Sequence, residues 1–504
     1  MAEFQVDKKR VAKNTIVLYT RMAFTMVISF IAARVTLQQL GVDDYGLNNL
    51  VGGVVAFLGF FNTSIGTAIQ RFYSIEIGKG KEGQLMRVFR TGLYLHILIA
   101  IFTVLLLEVF AIFFLHKMNI PDNRMYAAQV VLQISTIQFA VNILSVPYAA
   151  MLRAREYFDK IAILDIIQAL LRLGVLYLLI HIYYDKLITL TYLNLIVSLL
   201  YTAGILILSW RLPEVHAWPQ RDKEIMRRLF SFVSMLILST LAALGRKQGL
   251  VMLINLFFGL AVNAAYAIAI QVSHIIDTFV QNFKQAMVPQ MVSSYGAGDL
   301  PTMHRFINFG TKISSLLMLF ISFPLIFESQ FLLTIWLKTP PEYAANLVAL
   351  VIININISQL TYFHYQGVQA TGNITLNQTL LTILYSISLV FYYIAFKLGA
   401  SFYSALYINF FISGLVVTNG LMFSHRLYDY NVGAFIKQIL SPILLISIII
   451  AVILFLICHI IEPSIGRAIL VFTVSSISLL GLGYGVLLNK NERKRVLSFV
   501  KTIK

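Results

Sequence analysis

One apolar segment of this chain carries a stripe of polar side chains at helical spacing. Within residues 263–291 the intervals are three, three, four and three residues, and the members are Gln271, His274, Asp277, Gln281 and Lys284. Side chains spaced in this way share one face of a helix. The segment is long enough to cross a bilayer, where charged groups that face lipid are costly. The stripe must therefore face protein or water, which indicates an aqueous path through a membrane; the alternative is that it only bonds neighbouring helices.

Further cations lie deep in other apolar segments. Arg246 and Lys247 are adjacent near the middle of one segment, and Arg21 lies about a third of the way into another. Cations at membrane depth need anionic partners, and for the adjacent pair these are either Asp277 or a bound phosphate. Together with Lys284, these three cations would form a cationic cavity. Such a cavity attracts an anionic substrate, and a diphosphate meets that demand.

Two members of the stripe are candidates for ion coupling. His274 titrates near neutral pH by default, and Asp277 can bind a proton or a sodium ion. Asn62, which lies among glycines in the second apolar segment, is a further candidate for lining the cavity.

Two other sets of intramembrane charges invite a structural interpretation. Asp165 and Arg172 are seven residues apart, so they share a helix face and are expected to pair, directly or through a neighbour. Glu328 lies towards the outer end of its segment, where we expect exposure to water.

The composition is that of a polytopic membrane protein. The chain has 504 residues, of which 59% are hydrophobic and 12% charged, with a mean hydropathy of +0.80. The net charge of +17 comes mainly from Lys and Arg at segment ends, which argues against nucleic-acid binding. The single cysteine, Cys458, excludes an intramolecular disulfide and a cysteine-cluster metal site, and no metal ligand set is predicted.

The apolar segments predict an all-α fold with about fourteen transmembrane helices. Their expected ranges are 14–36, 46–70, 89–115, 125–148, 161–182, 189–210, 230–257, 263–291, 308–336, 343–368, 376–397, 402–424, 437–461 and 466–488. Most Lys and Arg residues lie in the N-terminus, the even-numbered loops and the C-terminal tail. Both termini are therefore predicted to be cytoplasmic.

A weak internal repeat divides the chain. Gly78 follows Gly41 by 37 residues, and Gly296 follows Gly259 by the same interval; at Gly41 and at Gly259 the chain is predicted to turn between two helices. Because six helices separate the paired segments, the halves are parallel repeats. We therefore expect two six-helix lobes around a central cavity, plus two additional C-terminal helices. The expected division is an N-terminal lobe, a cytoplasmic linker, a C-terminal lobe and the added helices with a basic tail, at 1–211, 212–229, 230–425 and 426–504.

No motif of a catalytic domain is present. Gly78-x-Gly80-x-x-Gly83 matches the dinucleotide fingerprint in letters, but it lies in a short loop with no strand before it. The chain has no Walker A, H-E-x-x-H or G-x-S-x-G pattern. No loop is large enough for a soluble catalytic domain, so an enzyme is disfavoured.

Several short motifs occur in an order typical of one group of transporters. They include Leu40-Gly-Val-Asp-Asp-Tyr-Gly with Gln70-Arg-Phe72, Ser145-Val-Pro-Tyr148 with Arg153-Ala-Arg-Glu156, Asn255-Leu-Phe-Phe-Gly259 with Val262-Asn-Ala-Ala265, and Gln369-Ala-Thr-Gly372. Over about residues 10–425 the chain resembles the Wzx-type polysaccharide flippases. These belong to the multidrug/oligosaccharidyl-lipid/polysaccharide (MOP) exporter superfamily, which also holds the MATE drug exporters and the lipid II flippases. Tyr266 departs from the pattern, since family members often carry a cation there.

The resemblance implies a function, a location and partners. It implies transfer of an undecaprenyl-diphosphate-linked oligosaccharide, the repeat unit of O-antigen, capsule or another surface polysaccharide, from the cytoplasmic to the periplasmic leaflet of the bacterial inner membrane. The partners would be that lipid-linked glycan, membrane lipid, and polysaccharide polymerase and export machinery. No cofactor is expected beyond a coupling proton or sodium ion.

The alternatives are a MATE-like ion-coupled drug exporter, which needs an anionic cavity, and a lipid II flippase. A membrane glycosyltransferase would need a long outer loop that is missing, and a scaffold would leave the buried charges unexplained.

Overall fold

The computed structural model describes most of the chain. It covers residues 8–489 except 58, 81, 114, 116–119, 183, 217, 338 and 339, together with 492 and 493. Within these ranges, the undescribed side chains are those of residues 8–12, 30, 33–34, 37, 42–43, 45–46, 49–57, 60–63, 82 and 260.

The described residues are almost entirely helical, which confirms the prediction of an all-α polytopic membrane protein. Seven helices occupy the first part of the chain. They are α1 (Lys8–Phe57), α2 (Gly59–Gly78), α3 (Glu82–Phe113), α4 (Met125–Ala154), α5 (Phe158–Leu178), α6 (Lys186–Ser209) and α7 (Lys223–Gly296).

Nine further helices follow. They are α8 (Leu300–Phe327), α9 (Ser329–Leu337), α10 (Ala344–Gln359), α11 (Tyr362–Thr371), α12 (Thr375–Lys397), α13 (Tyr403–Tyr428), α14 (Val432–Phe435), α15 (Ser441–Ile460) and α16 (Ile465–Leu482). The chain forms two compact units, one comprising Lys13–Ile237 and the other containing Leu238–Lys504. We refer to these as the N-terminal and C-terminal units; the boundary between them falls inside α7.

Two glycines interrupt the longest helices at the predicted turns. Gly41 in α1 has φ 76° and ψ 175°, and Gly259 in α7 has φ 79° and ψ −174°. This backbone region is essentially restricted to glycine. The same conformation therefore recurs at two positions 218 residues apart. The ends of α2 and α7, at Gly78 and Gly296, have the same offset, which supports the internal repeat.

Eleven helices in the described part of the chain are long and apolar enough to cross a membrane. They correspond to eleven of the fourteen predicted spans. The other three predictions, 14–36, 46–70 and 263–291, lie in α1, across α1 and α2, and in α7. The last of these contains the polar stripe, whose side chains lower its hydropathy.

Two ion pairs fasten the C-terminal segment to α8, one near the middle of this helix and one directly after its end. Lys312 of α8 donates to Glu492 at 2.9 Å, and Arg467 of α16 donates to Glu328, which follows α8 directly, at 2.8 and 2.9 Å. The expectation that Glu328 is exposed to water is wrong, because its side chain is 1% exposed. Its partner lies 139 residues away in sequence, beyond the reach of any local pattern.

Candidate functional site

The five polar side chains of the stripe range from exposed to fully buried along α7. Gln271 and His274 are exposed, Asp277 and Gln281 are partly buried, and Lys284 is completely buried. The exposure of the predicted face thus decreases from Gln271 to Lys284. A ligand could reach the end of the stripe at Gln271 and His274.

Lys284 is enclosed by neutral polar and aromatic groups. Its ammonium donates to the side-chain oxygen of Gln359 at the end of α10, and it lies 4.6 Å from the ring centroid of Tyr362 at the start of α11. Gln281 donates weakly to the Tyr362 hydroxyl at 3.5 Å. A cation over an aromatic face is stabilised by the ring quadrupole. These contacts explain how a lysine is accommodated in the interior of the C-terminal unit.

Asp277 completes this group, which we call the Asp277 cluster (Asp277, Gln281, Lys284, Gln359 and Tyr362). Gln359 donates to the Asp277 carboxylate at 2.8 Å, while Lys284 lies 3.9 Å from the same oxygen. The Gln359 amide therefore bridges the carboxylate and the ammonium. The Asp277 side chain is 48% exposed, so the cluster reaches from the interior of the unit to its accessible surface.

Lys247 contacts the exposed end of the stripe. Its ammonium lies 2.6 Å from Nε2 of His274. An ammonium only donates, so Nε2 accepts and His274 is neutral in this arrangement, with its proton on Nδ1. The expected partner, Asp277, lies beyond ion-pairing distance of both Lys247 and Arg246; the lysine within that distance is Lys284.

Arg246 points towards α12 and α13. It donates to the side-chain oxygen of Asn409 at 3.3 Å, and its guanidinium carbon lies 4.7 Å from the ring centroid of Tyr385. Tyr392 donates to the same Asn409 oxygen and so helps to orient that amide. Arg246 is thus held by neutral groups, and its charge remains uncompensated.

Arg21 belongs to a separate arrangement in the N-terminal unit. It donates to Asp165 at 2.8 Å, and Tyr201 donates to the other carboxylate oxygen at 2.8 Å. The partners of Asp165 are therefore Arg21 and Tyr201, and among the described residues the direct pair with Arg172, one of the two predicted arrangements, does not form. The side chain of Asn62 lies outside the described residues, so its proposed role stays a prediction.

Sequence reasoning missed the neutral partners of these cations. Gln359, Tyr362 and Asn409 lie 75 or more residues from the lysine or arginine that each contacts. Asn354 and Ser358 of the tenth predicted span show that this helix has a polar face, but both contact Ser413 and neither contacts a cation among the described residues. No group of three or more His, Cys, Asp or Glu that could hold a metal is present among the described residues.

The helical architecture, with eleven apolar spans among the described residues, defines a class, that of polytopic membrane proteins. Residues 19–178 match the MatE family, which covers less than half of the chain. Comparison with curated protein sequences gives no match.

The particular fold is that of the MATE transporters of the MOP superfamily. A MATE transporter in the bent conformation superposes with a TM-score of 0.69 at 13% identity, covering 83% of this chain and 96% of that one. The transporter ClbM in complex with Rb⁺ gives 0.67 at 14% identity, covering 81% and 94%. A MOP superfamily transporter from Pyrococcus furiosus, described as having a binding pocket of reverse polarity that suggests a different function, gives 0.65 at 12% identity, covering 84% and 97%. The matched family and these structures are transporters and not enzymes, as the missing catalytic motifs predict.

Proposed function

We propose that this protein is a flippase for an undecaprenyl-diphosphate-linked oligosaccharide, the repeat unit of a surface polysaccharide. It would transfer this cargo by alternating access from the cytoplasmic to the periplasmic leaflet of a bacterial inner membrane, with both termini in the cytoplasm. A coupling proton or sodium ion, and contacts with polymerase and export machinery, belong to the same proposal. The MATE-type fold supports transport, and the sequence motifs support this cargo.

The observation that carries the proposal is a pair of cations without a direct ion pair. In the described part of the chain, no carboxylate lies within ion-pairing distance of Arg246 or Lys247. Arg21, by contrast, has a carboxylate at 2.8 Å. A cation at membrane depth that the protein leaves without an acid favours an anionic ligand. A diphosphate head group supplies that charge, and guanidinium and ammonium groups are its usual ligands.

The size of the chain agrees with this proposal. The solved MATE-type structures leave about a sixth of this chain unmatched, which is close to the length expected for the two C-terminal helices with the tail. Lipid II flippases also carry two such helices, so a lipid II flippase remains an alternative with the same diphosphate chemistry.

A MATE-like ion-coupled drug exporter is the second candidate. The fold comparisons favour it more directly than they favour a flippase, because the matched family is MatE and one matched structure is described as a multidrug resistance MATE family transporter. The balance of charge favours the flippase, since the candidate residues of α7 include three cations, Arg246, Lys247 and Lys284, and one acid, Asp277, whereas organic cations require acidic ligands.

Replacing each unpaired cation by a neutral residue tests the proposal. Arg246→Gln and Lys247→Gln should each reduce the lipid-linked glycan that reaches the periplasm by about tenfold or more, since a hydrogen bond to a charged group contributes roughly 1.5–3 kcal/mol. The readout is labelling of the periplasmic repeat units in cells that lack the native gene. Arg228→Gln is the matched control, because Arg228 is an exposed arginine of the same helix that pairs with Glu224. Undiminished transfer in both variants, with broad drug hypersensitivity of the deletion strain, would favour the exporter instead.

A further inference from the structure

We propose that Asp277 is an internal counter-anion that a phosphate group of the cargo displaces. In the absence of cargo, its carboxylate would neutralise the cationic face of α7. When an anionic phosphate binds there, it would replace Asp277 as the partner of the nearby cations. The inference rests on the proposed function, which supplies the displacing anion.

Asp277 occupies the position that such a counter-ion needs. It lies between Lys247 with its partner His274, towards the exposed end of the stripe, and the fully buried Lys284. Its carboxylate lies 3.9 Å from the Lys284 ammonium, and it is one helical turn from His274, which Lys247 contacts. With a side chain that is 48% exposed, it is also open to competition from a ligand.

The attachment of Asp277 is looser than that of Glu328 and Glu492, two buried acids of the C-terminal unit. Its oxygen lies 3.9 Å from the Lys284 ammonium, beyond direct hydrogen bonding, whereas the Glu328 and Glu492 carboxylates lie 2.8 and 2.9 Å from their cations. The direct bond of Asp277 comes from the neutral amide of Gln359. A carboxylate held by one neutral donor and a more distant charge is displaced at a lower cost than one in a direct buried ion pair.

Displacement of Asp277 would change the contacts at the junction between α10 and α11. Gln359 is the last residue of α10 and Tyr362 is the first of α11, and both contact Lys284. Once Asp277 leaves, the Gln359 amide loses its acceptor and Lys284 loses its nearby negative charge. The two residues that flank the junction at 360–361 must then find new partners, so anion binding is linked to the geometry of α10 and α11.

Binding of inorganic pyrophosphate to the purified full-length protein tests the displacement directly. Asp277→Asn keeps an acceptor for Gln359 but removes the competing charge, so it should bind pyrophosphate about tenfold more tightly than the native protein. Glu342→Gln removes one negative charge from an exposed position outside the cluster and should bind like the native protein. Equal or weaker binding by Asp277→Asn, or no detectable binding by either protein in calorimetry, would overturn the proposal.

A fluorescent label at the junction tests the transmission. The chain has one cysteine, so Cys458→Ser with Leu360→Cys places a single label between α10 and α11. Pyrophosphate should change the emission of this label, and adding Gln359→Leu should abolish the change while pyrophosphate still binds. An unchanged emission on saturation with pyrophosphate, or a response that survives Gln359→Leu, would contradict the link.

The two proposals fail in different experiments. Glycan transfer that depends on Arg246 and Lys247, together with an unchanged pyrophosphate affinity in Asp277→Asn, would leave the flippase standing and remove the counter-anion. Tighter pyrophosphate binding in Asp277→Asn without any dependence of glycan transfer on Arg246 or Lys247 would retain the anion site and remove the glycan as its ligand.

Discussion

Glu328 and Arg467 form a bidentate ion pair in which both side chains are almost completely buried. The two donor–acceptor distances are 2.8 and 2.9 Å, and Arg467 also donates to the carbonyl of Ile461, which follows α15. One guanidinium thus joins α15 and α16 to the start of α9.

Breaking this pair from one side should destabilise the protein strongly. Glu328→Gln leaves the Arg467 charge buried without its acid, and such losses typically cost about 3–5 kcal/mol. Thermal unfolding in detergent should show a large decrease in the midpoint. The double variant Glu328→Leu with Arg467→Met removes both charges and should recover most of the loss; a double variant as unstable as the single one would contradict this explanation.

The backbone at Gly259 should tolerate no side chain. Its φ of 79° and ψ of −174° are essentially restricted to glycine, and no neighbouring atom lies within 4 Å of the position that a Cβ would take, so the cost of Gly259→Ala is backbone strain of about 1–3 kcal/mol. Gly41→Ala should behave in the same way. Gly245→Ala, at a helical glycine of α7 that also has open space, should be neutral or stabilising in the same unfolding measurement. A penalty at Gly245 equal to that at Gly259 would refute the argument.

We expect Arg21 to contribute to the stability of the fold rather than to cargo binding, because it is paired with Asp165. Arg21→Met leaves Asp165 without its cation, and Asp165→Asn leaves Arg21 without its acid, so each variant should lower the unfolding midpoint. The double variant should be less than additive, because the two residues share one interaction. Additive losses in a double-mutant cycle would show that the pair contributes nothing.

The Asp185 carboxylate should make stability depend on acid pH. Burial opposes its ionisation, but hydrogen bonds from Arg124 and from the backbone of Ile188 outweigh burial and hold the pKa of Asp185 below its ordinary value of 3.8. A lowered folded-state pKa contributes stability that is present above the unfolded-state pKa and is lost as the pH falls through the folded-state pKa.

Asp185→Asn isolates this charge. Asp185 caps α6 by accepting from Leu187 and Ile188, and asparagine is also a good capping residue. The variant should be less stable than the native protein at pH 7, and the difference should shrink below about pH 4. An unfolding midpoint difference that is constant from pH 7 to pH 3 would exclude the charge as its cause.

Local sequence patterns predicted the architecture because hydrophobic length and glycine position are local properties. Breaks between helices were predicted at Gly41 and Gly259 from the sequence, and the backbone is non-helical at both positions. The eleven most apolar spans follow from the same reasoning.

Partners distant in sequence could not be predicted in this way. Spacing places Lys284 and His274 on one face, but only packing against α10 and α11 decides that Lys284 is buried while His274 stays exposed. Likewise, Asp165 and Arg172 share a face, yet Arg21, 144 residues away, supplies the cation. The sequence of one helix predicts which side chains share a face, but it does not predict which residues of other helices they contact.

The two ion pairs that fasten the C-terminal segment to α8 restrict how the chain can be shortened. Trimming α15, α16 and the residues after them to obtain a smaller protein for crystallisation would leave Lys312 and Glu328 without their counter-charges. A chimaera that exchanges this segment with that of a relative would have to bring along a matching acid and base. Engineered variants of this protein should therefore retain α15, α16 and the residues that follow them.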